Sequence, residues 1–195
     1  MTTAPTFHGR PYRGAPIAWE PLIAVPALEE LTEVQHASLR PVQRRSAFYR
    51  MLALDPAILA ERTNVDSAIF YAKEGLARGE RELCAAISSM VTGCPICTST
   101  HIEFAAKFTK RPDDVNRFLA EGIEADVDPR WNAITNTAGA LAAPTPTLGR
   151  IDVDSLRGNG LPEDEILDIV HSTSFFAWAN RLLLTLGQSR YAEDE

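Results

Sequence analysis

The chain has 195 residues, a formal net charge of −7, 45% hydrophobic residues and 23% charged residues. These values are typical of one globular domain with a substantial core. The negative charge argues against binding to nucleic acid or to an anionic membrane, because both favour clustered Lys and Arg. No apolar run approaches the ~20 residues that span a bilayer. The N-terminus lacks the apolar segment of a secretory signal, so we expect a cytoplasmic protein.

Residues 1–26 are predicted to form an irregular N-terminal arm, because prolines stand at positions 5, 11, 16, 21 and 26. The arm also carries apolar side chains, among them Tyr12, Ile17 and Trp19. A solvated tail does not need such residues, so we expect the arm to pack on its own domain or on a neighbouring subunit.

Residues 27–195 are predicted to form a single all-α domain. Capping residues, prolines at helix starts and glycines at helix ends recur along this part of the chain. No alternating strand pattern and no hairpin signal is evident. The predicted helices span approximately residues 27–37, 41–54, 56–73, 79–92, 95–108, 112–122, 129–144, 152–158 and 163–186.

The candidate chemistry lies between Glu82 and His101, a stretch that holds all three cysteines. Gly93 is placed to end one helix and Pro95 to start the next, which makes Cys94 the N-cap and Cys97 the third residue of the new helix. Residues three apart on a helical turn lie within disulfide range. The first turn of a helix also favours an anion, so we expect a lowered thiol pKa at Cys97.

His101 follows Cys97 by one helical turn and is predicted to share its face. A base beside a thiol is the arrangement that nucleophilic sulfur chemistry requires. Cys84, in contrast, lies at the edge of an apolar helical stripe and is interpreted as a buried core residue.

Two other chemistries use the same residues. A zinc site could take Cys94, Cys97 and His101 with Glu82 or Cys84 as the fourth ligand, but the chain lacks the second pair of ligands that is usual in structural zinc sites. A thioredoxin-type oxidoreductase also begins a helix with C-x-x-C, but that fold places a strand before the motif. Here a helix is predicted instead.

The spacing of Glu82, Cys94, Cys97 and His101 resembles the E-x11-C-x2-C-x3-H signature of the alkylhydroperoxidase D / carboxymuconolactone decarboxylase superfamily. The likeness extends over roughly residues 48–108, and the last helix resembles that of the peroxidase-related branch. Where hydroperoxidases of the family often have a histidine between the cysteines, this chain has Pro95 and Ile96.

The resemblance implies an all-α homo-oligomer with peroxidase activity that uses no haem, metal or other cofactor. It implies that Cys97 is the thiolate that attacks a peroxide and that Cys94 resolves the resulting sulfenic acid. Glu82 and His101 would form a proton relay. A dithiol or lipoyl-bearing protein would act as the reductant. The alternative is a redox-responsive or structural homo-oligomer without turnover.

Two expectations concern geometry. On straight antiparallel helices, Glu82 and His101 remain ~8 Å apart along the axes, so a bridging water, a bend or a long path is needed to connect them. Asn180 and Arg181 interrupt an apolar helix and need polar partners. For this pair we favour a subunit interface over an intramolecular network.

Overall fold

A computed structural model describes residues 6–7, 10–12 and 17–191 of the chain. Helices dominate, as predicted, and none of those in the described part has the length and hydropathy of a membrane crossing. The helices are α1 (Glu33–Ser38), α2 (Ala47–Leu52), α3 (Pro56–Phe70), α4 (Arg78–Thr92), α5 (Pro95–Thr109), α6 (Pro112–Glu121), α7 (Pro129–Ala142), α8 (Arg150–Gly158) and α9 (Glu163–Leu186).

The first two predicted helices are broken in the structure. A 3-10 turn at Leu28–Glu30 precedes α1, and a second 3-10 turn at Gln43–Arg45 precedes α2. A capping box at Thr32 explains the first break: the Thr32 hydroxyl accepts from the Gln35 amide at 3.4 Å, and the Gln35 side chain accepts from the Thr32 amide at 2.9 Å. Such a box starts a new helix.

Short strands are present, contrary to the prediction. Strand β1 (Thr6–Phe7) pairs with β2 (Arg10–Pro11), and β3 (Ala18–Pro21) pairs with β4 (Gly187–Arg190), both antiparallel. Strands of two to four residues are too short to show an alternating pattern. In addition, β3 and β4 come from opposite ends of the chain, so no local hairpin signal marks them.

The described part of the arm packs on its own chain. In β3 the Trp19 indole donates to the Leu183 carbonyl at 3.1 Å. The Trp19 ring meets the Phe48 ring edge-on, with centroids 5.4 Å apart. The first alternative, packing on the same domain, therefore holds for these residues.

Helix α4 lies at the centre of the molecule and packs against α5, α7 and α9. Its residues 79–90 are all buried, including Cys84, which is fully buried as predicted. Burial raises the pKa of the Cys84 thiol.

Gly93 ends α4 in the left-handed conformation with φ 79°, and the Cys94 amide donates back to the Ser89 carbonyl at 2.8 Å. This reversal joins α4 and α5 as an antiparallel helical pair.

Asn180 is fully buried within the chain, so the expectation of a subunit interface for this residue is wrong. Its Nδ2 donates to Thr92 Oγ1 at 2.7 Å, and its Oδ1 accepts from Ser89 Oγ at 3.2 Å. Arg181 donates to the Ala177 carbonyl of its own helix at 2.6 Å. The polar groups of Asn180 are therefore satisfied within the chain, and these hydrogen bonds connect α9 to the end of α4.

We expect Gly79→Ala to push the start of α4 away from the end of α5. A Cβ at Gly79 would lie 2.7 Å from the Thr109 amide nitrogen and 3.1 Å from the Phe108 carbonyl carbon, both backbone atoms. The free energy of unfolding, measured by urea denaturation, should fall by ~1–3 kcal/mol.

The matched control is Gly158→Ala, because no atom lies within 4 Å of a Cβ at that position. This variant should be neutral or slightly stabilised, since Ala favours helix over Gly. Equal stability of Gly79→Ala and wild type would contradict the close approach of the two helices.

Candidate active site

Glu82 and His101 form a direct contact between α4 and α5. His101 Nδ1 lies 2.6 Å from Glu82 Oε2, and the Glu82 side chain is 1% exposed. The expected gap between them is therefore closed without a bridging water. The gap was expected from distances along the helix axes, and the two long side chains reach across it. A carboxylate at Nδ1 fixes that proton in the neutral ring and leaves Nε2 as the basic nitrogen.

The Glu82 carboxylate has a second partner that the sequence interpretation missed. Arg78 Nε lies 2.7 Å and Arg78 Nη2 lies 2.6 Å from Glu82 Oε1. Arg78 also donates to the Phe70 carbonyl. Its guanidinium stacks over the Tyr71 ring at 4.5 Å and the Phe108 ring at 4.8 Å. The spacing of Arg78 and Glu82, four residues apart on one helix, was a signal that could have identified this pair.

The two cysteines of the C-x-x-C motif are free thiols and both are buried. Cys94 precedes Pro95 at the N-cap of α5, as predicted, and Cys97 lies in the first turn. Cys97 lines a cavity of about 620 Å³ together with His101 and Glu82. Cys94 is 1% exposed and does not line the cavity. A small molecule in the cavity therefore meets Cys97 first, with Cys94 behind it.

The order of the two thiol pKa values differs from the expectation. A hydrogen bond from the Cys97 thiol lowers the pKa of Cys94, and the backbone amides of Cys97 and Ile96 add to this effect. The same hydrogen bond and burial raise the pKa of Cys97, while the charge of Arg62 opposes that rise. The N-cap residue, rather than the third residue of the helix, receives the free amides of the helix start. Of the two thiols, Cys94 is therefore the more acidic.

Tyr12 connects the N-terminal arm to the buried side of the dithiol. Its hydroxyl donates to the Met90 carbonyl at 3.1 Å, near the end of α4. Burial raises the pKa of Tyr12 to about 12, and the nearby Cys94 contributes to the shift. Tyr12 therefore stays protonated and uncharged beside Cys94 at neutral pH.

Aromatic rings enclose the imidazole of His101. The Phe176 ring of α9 lies 4.0 Å away in an edge-to-face arrangement, with Phe70 at 6.0 Å and Phe104 at 6.2 Å between centroids. Phe104 lies on the same helix as His101, whereas Phe70 and Phe176 come from α3 and α9. Such rings exclude water and strengthen the interaction between Glu82 and His101.

The zinc alternative lacks its ligand set. Over residues 6–7, 10–12 and 17–191, no group of three or more His, Cys, Asp or Glu side chains is arranged to hold a metal ion. His101 Nδ1 and both Glu82 oxygens are already engaged in hydrogen bonds and an ion pair.

The cavity also contains polar residues of α3 that the sequence interpretation did not single out. Arg62 and Asp66 both line it. Burial raises the pKa of the Asp66 carboxyl, while the charges of Arg62 and His101 lower it. No spacing signal relates α3 to the C-x-x-C stretch, because tertiary packing alone brings them together.

We expect the reduced dithiol to titrate in two separate steps. The ultraviolet absorbance of the thiolate, measured against pH, would show them. The first step belongs to Cys94 and lies below the ordinary thiol pKa; the second belongs to Cys97 and lies well above it. Cys97→Ala removes the hydrogen bond that most strongly lowers the pKa of Cys94, so the remaining step should move to higher pH. Cys84→Ala is the control and should leave both steps in place. Two overlapping steps near the ordinary value would contradict this order.

The Carboxymuconolactone decarboxylase family model matches residues 56–141. No curated protein sequence matches the chain. Among solved structures, the chain resembles the alkylhydroperoxidase AhpD core of an uncharacterized peroxidase-related protein from Ralstonia eutropha JMP134, with TM-score 0.74, 24% identity, and 89% of this chain and 93% of that chain covered. A peroxidase-related protein from Silicibacter sp. TM1040 gives TM-score 0.73 and 19% identity, with the same coverage of 89% and 93%.

The debrominase Bmp8, solved as a cysteine-to-alanine variant in complex with 2,3,4-tribromopyrrole, gives TM-score 0.70 and 17% identity, with 87% of this chain and 93% of that chain covered. These likenesses confirm the all-α fold. The matched segment 56–141 contains Glu82, Cys94, Cys97 and His101. Residues 56–141 of this chain are therefore similar in sequence to the Carboxymuconolactone decarboxylase family, and the chain shares the fold of the alkylhydroperoxidase AhpD core.

Proposed function

We propose that this protein is a thiol-dependent hydroperoxide reductase. The observation that supports this most is the placement of Cys97 on the wall of a cavity that His101 also lines, with Cys94 at the start of the same helix. The 2.6 Å contact between His101 and the buried Glu82 supplies a base whose orientation is fixed. Peroxide reduction by a dithiol requires these groups: a nucleophilic thiol, a second thiol and a proton carrier.

In the first step, the Cys97 thiol loses its proton and its sulfur attacks the terminal oxygen of the peroxide. The O–O bond breaks, Cys97 becomes a sulfenic acid, and the leaving alkoxide takes a proton to become an alcohol. His101 Nε2 accepts the thiol proton and returns it to the leaving oxygen. The positive charge of Arg62 favours the Cys97 thiolate at the moment of attack.

In the second step, the Cys94 thiolate attacks the sulfenic sulfur of Cys97 and displaces hydroxide, which takes a proton to become water. The product is a Cys94–Cys97 disulfide. The lowered pKa of Cys94 suits this role, because it increases the fraction of thiolate, which is the form that attacks. A dithiol donor, such as a lipoyl-bearing protein, then reduces the disulfide by thiol–disulfide exchange.

Glu82 acts by orienting His101 and by stabilising the imidazolium while it holds the proton. Arg78 holds the Glu82 carboxylate in position through its ion pair. Glu82 and Arg78 do not touch the reacting sulfur in this scheme, so both are positioning residues.

Activity assays can also test two other functions for this site. The likeness to a debrominase makes a brominated pyrrole a useful second substrate, since a dithiol can also deliver two electrons to a C–Br bond. A redox-responsive homo-oligomer without turnover would form the disulfide but would not consume peroxide catalytically with a dithiol donor.

We also propose that the protein is a homo-oligomer, which sedimentation equilibrium would test.

We expect Cys97→Ser to abolish peroxide consumption, because Cys97 is the thiol that faces the cavity. Cys94→Ser should still react once and should accumulate a sulfenic acid or a mixed disulfide at Cys97. Peroxide loss and trapping of the sulfenic acid by dimedone measure the two effects. The proposal fails if both variants consume peroxide at the wild-type rate, and the roles are exchanged if Cys94→Ser is the inactive variant.

We expect Glu82→Gln to lower the rate of peroxide reduction by ~10²–10⁴-fold, the usual range for loss of acid–base catalysis. Glu80→Gln is the matched control. Glu80 is also buried on α4, but it is paired with Arg130 at 2.9 Å and does not line the cavity. The control should therefore lose stability without a comparable loss of rate. Similar rates for the two variants, measured at equal folded fraction, would remove Glu82 from the mechanism.

A further inference from the structure

Within the described part of the chain, Arg62 is a buried cation without an ion pair. It is 6% exposed, and its Nε and Nη1 have no hydrogen-bond partner among the described residues. Its guanidinium lies between the rings of Tyr49 and Phe175, 5.1 Å from each centroid. Burying a charge without a paired counter-charge is costly. The two ring contacts offset part of this cost, but Nε and Nη1 are left with hydrogens that a ligand could accept.

The cavity that Arg62 lines carries an excess of positive charge. Among the residues that the structure describes, three arginines line it against two carboxylates, although the whole chain has a net charge of −7. Arg78 and Glu82 pair with each other, which leaves Arg40 and Arg62 against Asp66. The charge of Arg62 acts on Asp66 by lowering the pKa of its carboxyl, but no ion pair joins the two side chains within the described ranges. This region of the wall therefore favours an anion.

The remaining wall of the cavity is apolar and aromatic. Hydrocarbon or aryl groups fit such a surface, and a single charged group in an apolar site fixes the orientation of a ligand. The apolar lining includes Trp19, Phe70, Ile96, Phe104, Phe176 and Leu183.

We propose that Arg62 forms a subsite for the carboxylate of an organic substrate whose apolar body lies along the aromatic wall and whose reacting group meets Cys97. The carboxylate would supply the hydrogen-bond acceptor that Nε and Nη1 lack, and a planar guanidinium suits a carboxylate in geometry as well as in charge. The peroxide part of this statement rests on the proposed function; the carboxylate part rests on Arg62 and its cavity. Neutral peroxides of the same shape would bind in the cavity without this anchor.

Binding without turnover tests the subsite directly. The probes are cumyl alcohol and its para-carboxylate, which match the two expected products and cannot be reduced by the dithiol. By calorimetric titration the carboxylate should bind reduced wild type at least ~10-fold more tightly, as expected for one charge-assisted hydrogen-bonded contact. Arg62→Met should abolish this preference and Arg62→Lys should keep part of it.

The variants are expected to fold, because Arg62→Met keeps the apolar stem and removes an unpaired buried charge. Arg111→Met is the matched control: Arg111 stacks 3.9 Å over the Trp131 ring but does not line the cavity. It should keep the wild-type preference. Equal binding of both probes to wild type, or an unchanged preference in Arg62→Met, would overturn the subsite.

Turnover separates the two proposals. With cumene hydroperoxide and its para-carboxylate, Arg62→Met should raise the KM of the carboxylated peroxide relative to the neutral one by ~10-fold. A carboxylate preference in binding without consumption of either peroxide would retain the subsite and reject the peroxidase. Consumption of both peroxides with equal KM would retain the peroxidase and reject the subsite.

Discussion

A carboxylate buried between an imidazole and a guanidinium is the interaction on which the rest of the site depends. Arg78 and His101 engage both oxygens of the buried Glu82 side chain, which offsets the cost of burying it. This contact requires α4 and α5 to lie side by side and antiparallel. The left-handed Gly93 turns the chain at one end of the pair, and Gly79 permits backbone contact at the other. The residues that shape the helical pair thus also position the base.

The turn at Gly93 between α4 and α5 also determines where the two cysteines lie. The chain that leaves Gly93 enters α5 at Cys94, so the helix start and the thiol pair coincide. The pKa of Cys94 at the N-cap is lowered, while Cys97 lines the cavity that a substrate would enter. Cys94 is therefore the more acidic and more shielded thiol, and Cys97 is the thiol that a substrate can reach. This division suits a two-step reaction in which one sulfur attacks and the other resolves.

Residue patterns within a few positions of each other predicted the parts of the site that lie on one helix or one turn. Gly93, Pro95 and the spacing to His101 located the helix start and the imidazole correctly. The direct Glu82–His101 contact was not predictable from axial spacing, because it depends on side-chain reach. Arg62 and Phe176 were missed because α3 and α9 meet α5 only through tertiary packing. The β3–β4 pair was missed for a related reason, since its strands are short and come from opposite ends of the chain.

The central claim is that the cavity-facing Cys97 and the shielded Cys94 act together as one two-electron centre. The most direct measurement is intact-protein and peptide mass spectrometry of the reduced protein after one equivalent of organic hydroperoxide. The account predicts loss of two hydrogens, a Cys94–Cys97 disulfide, one equivalent of alcohol and an unmodified Cys84. Oxygen added to Cys97 without a disulfide, or a disulfide that involves Cys84, would contradict it.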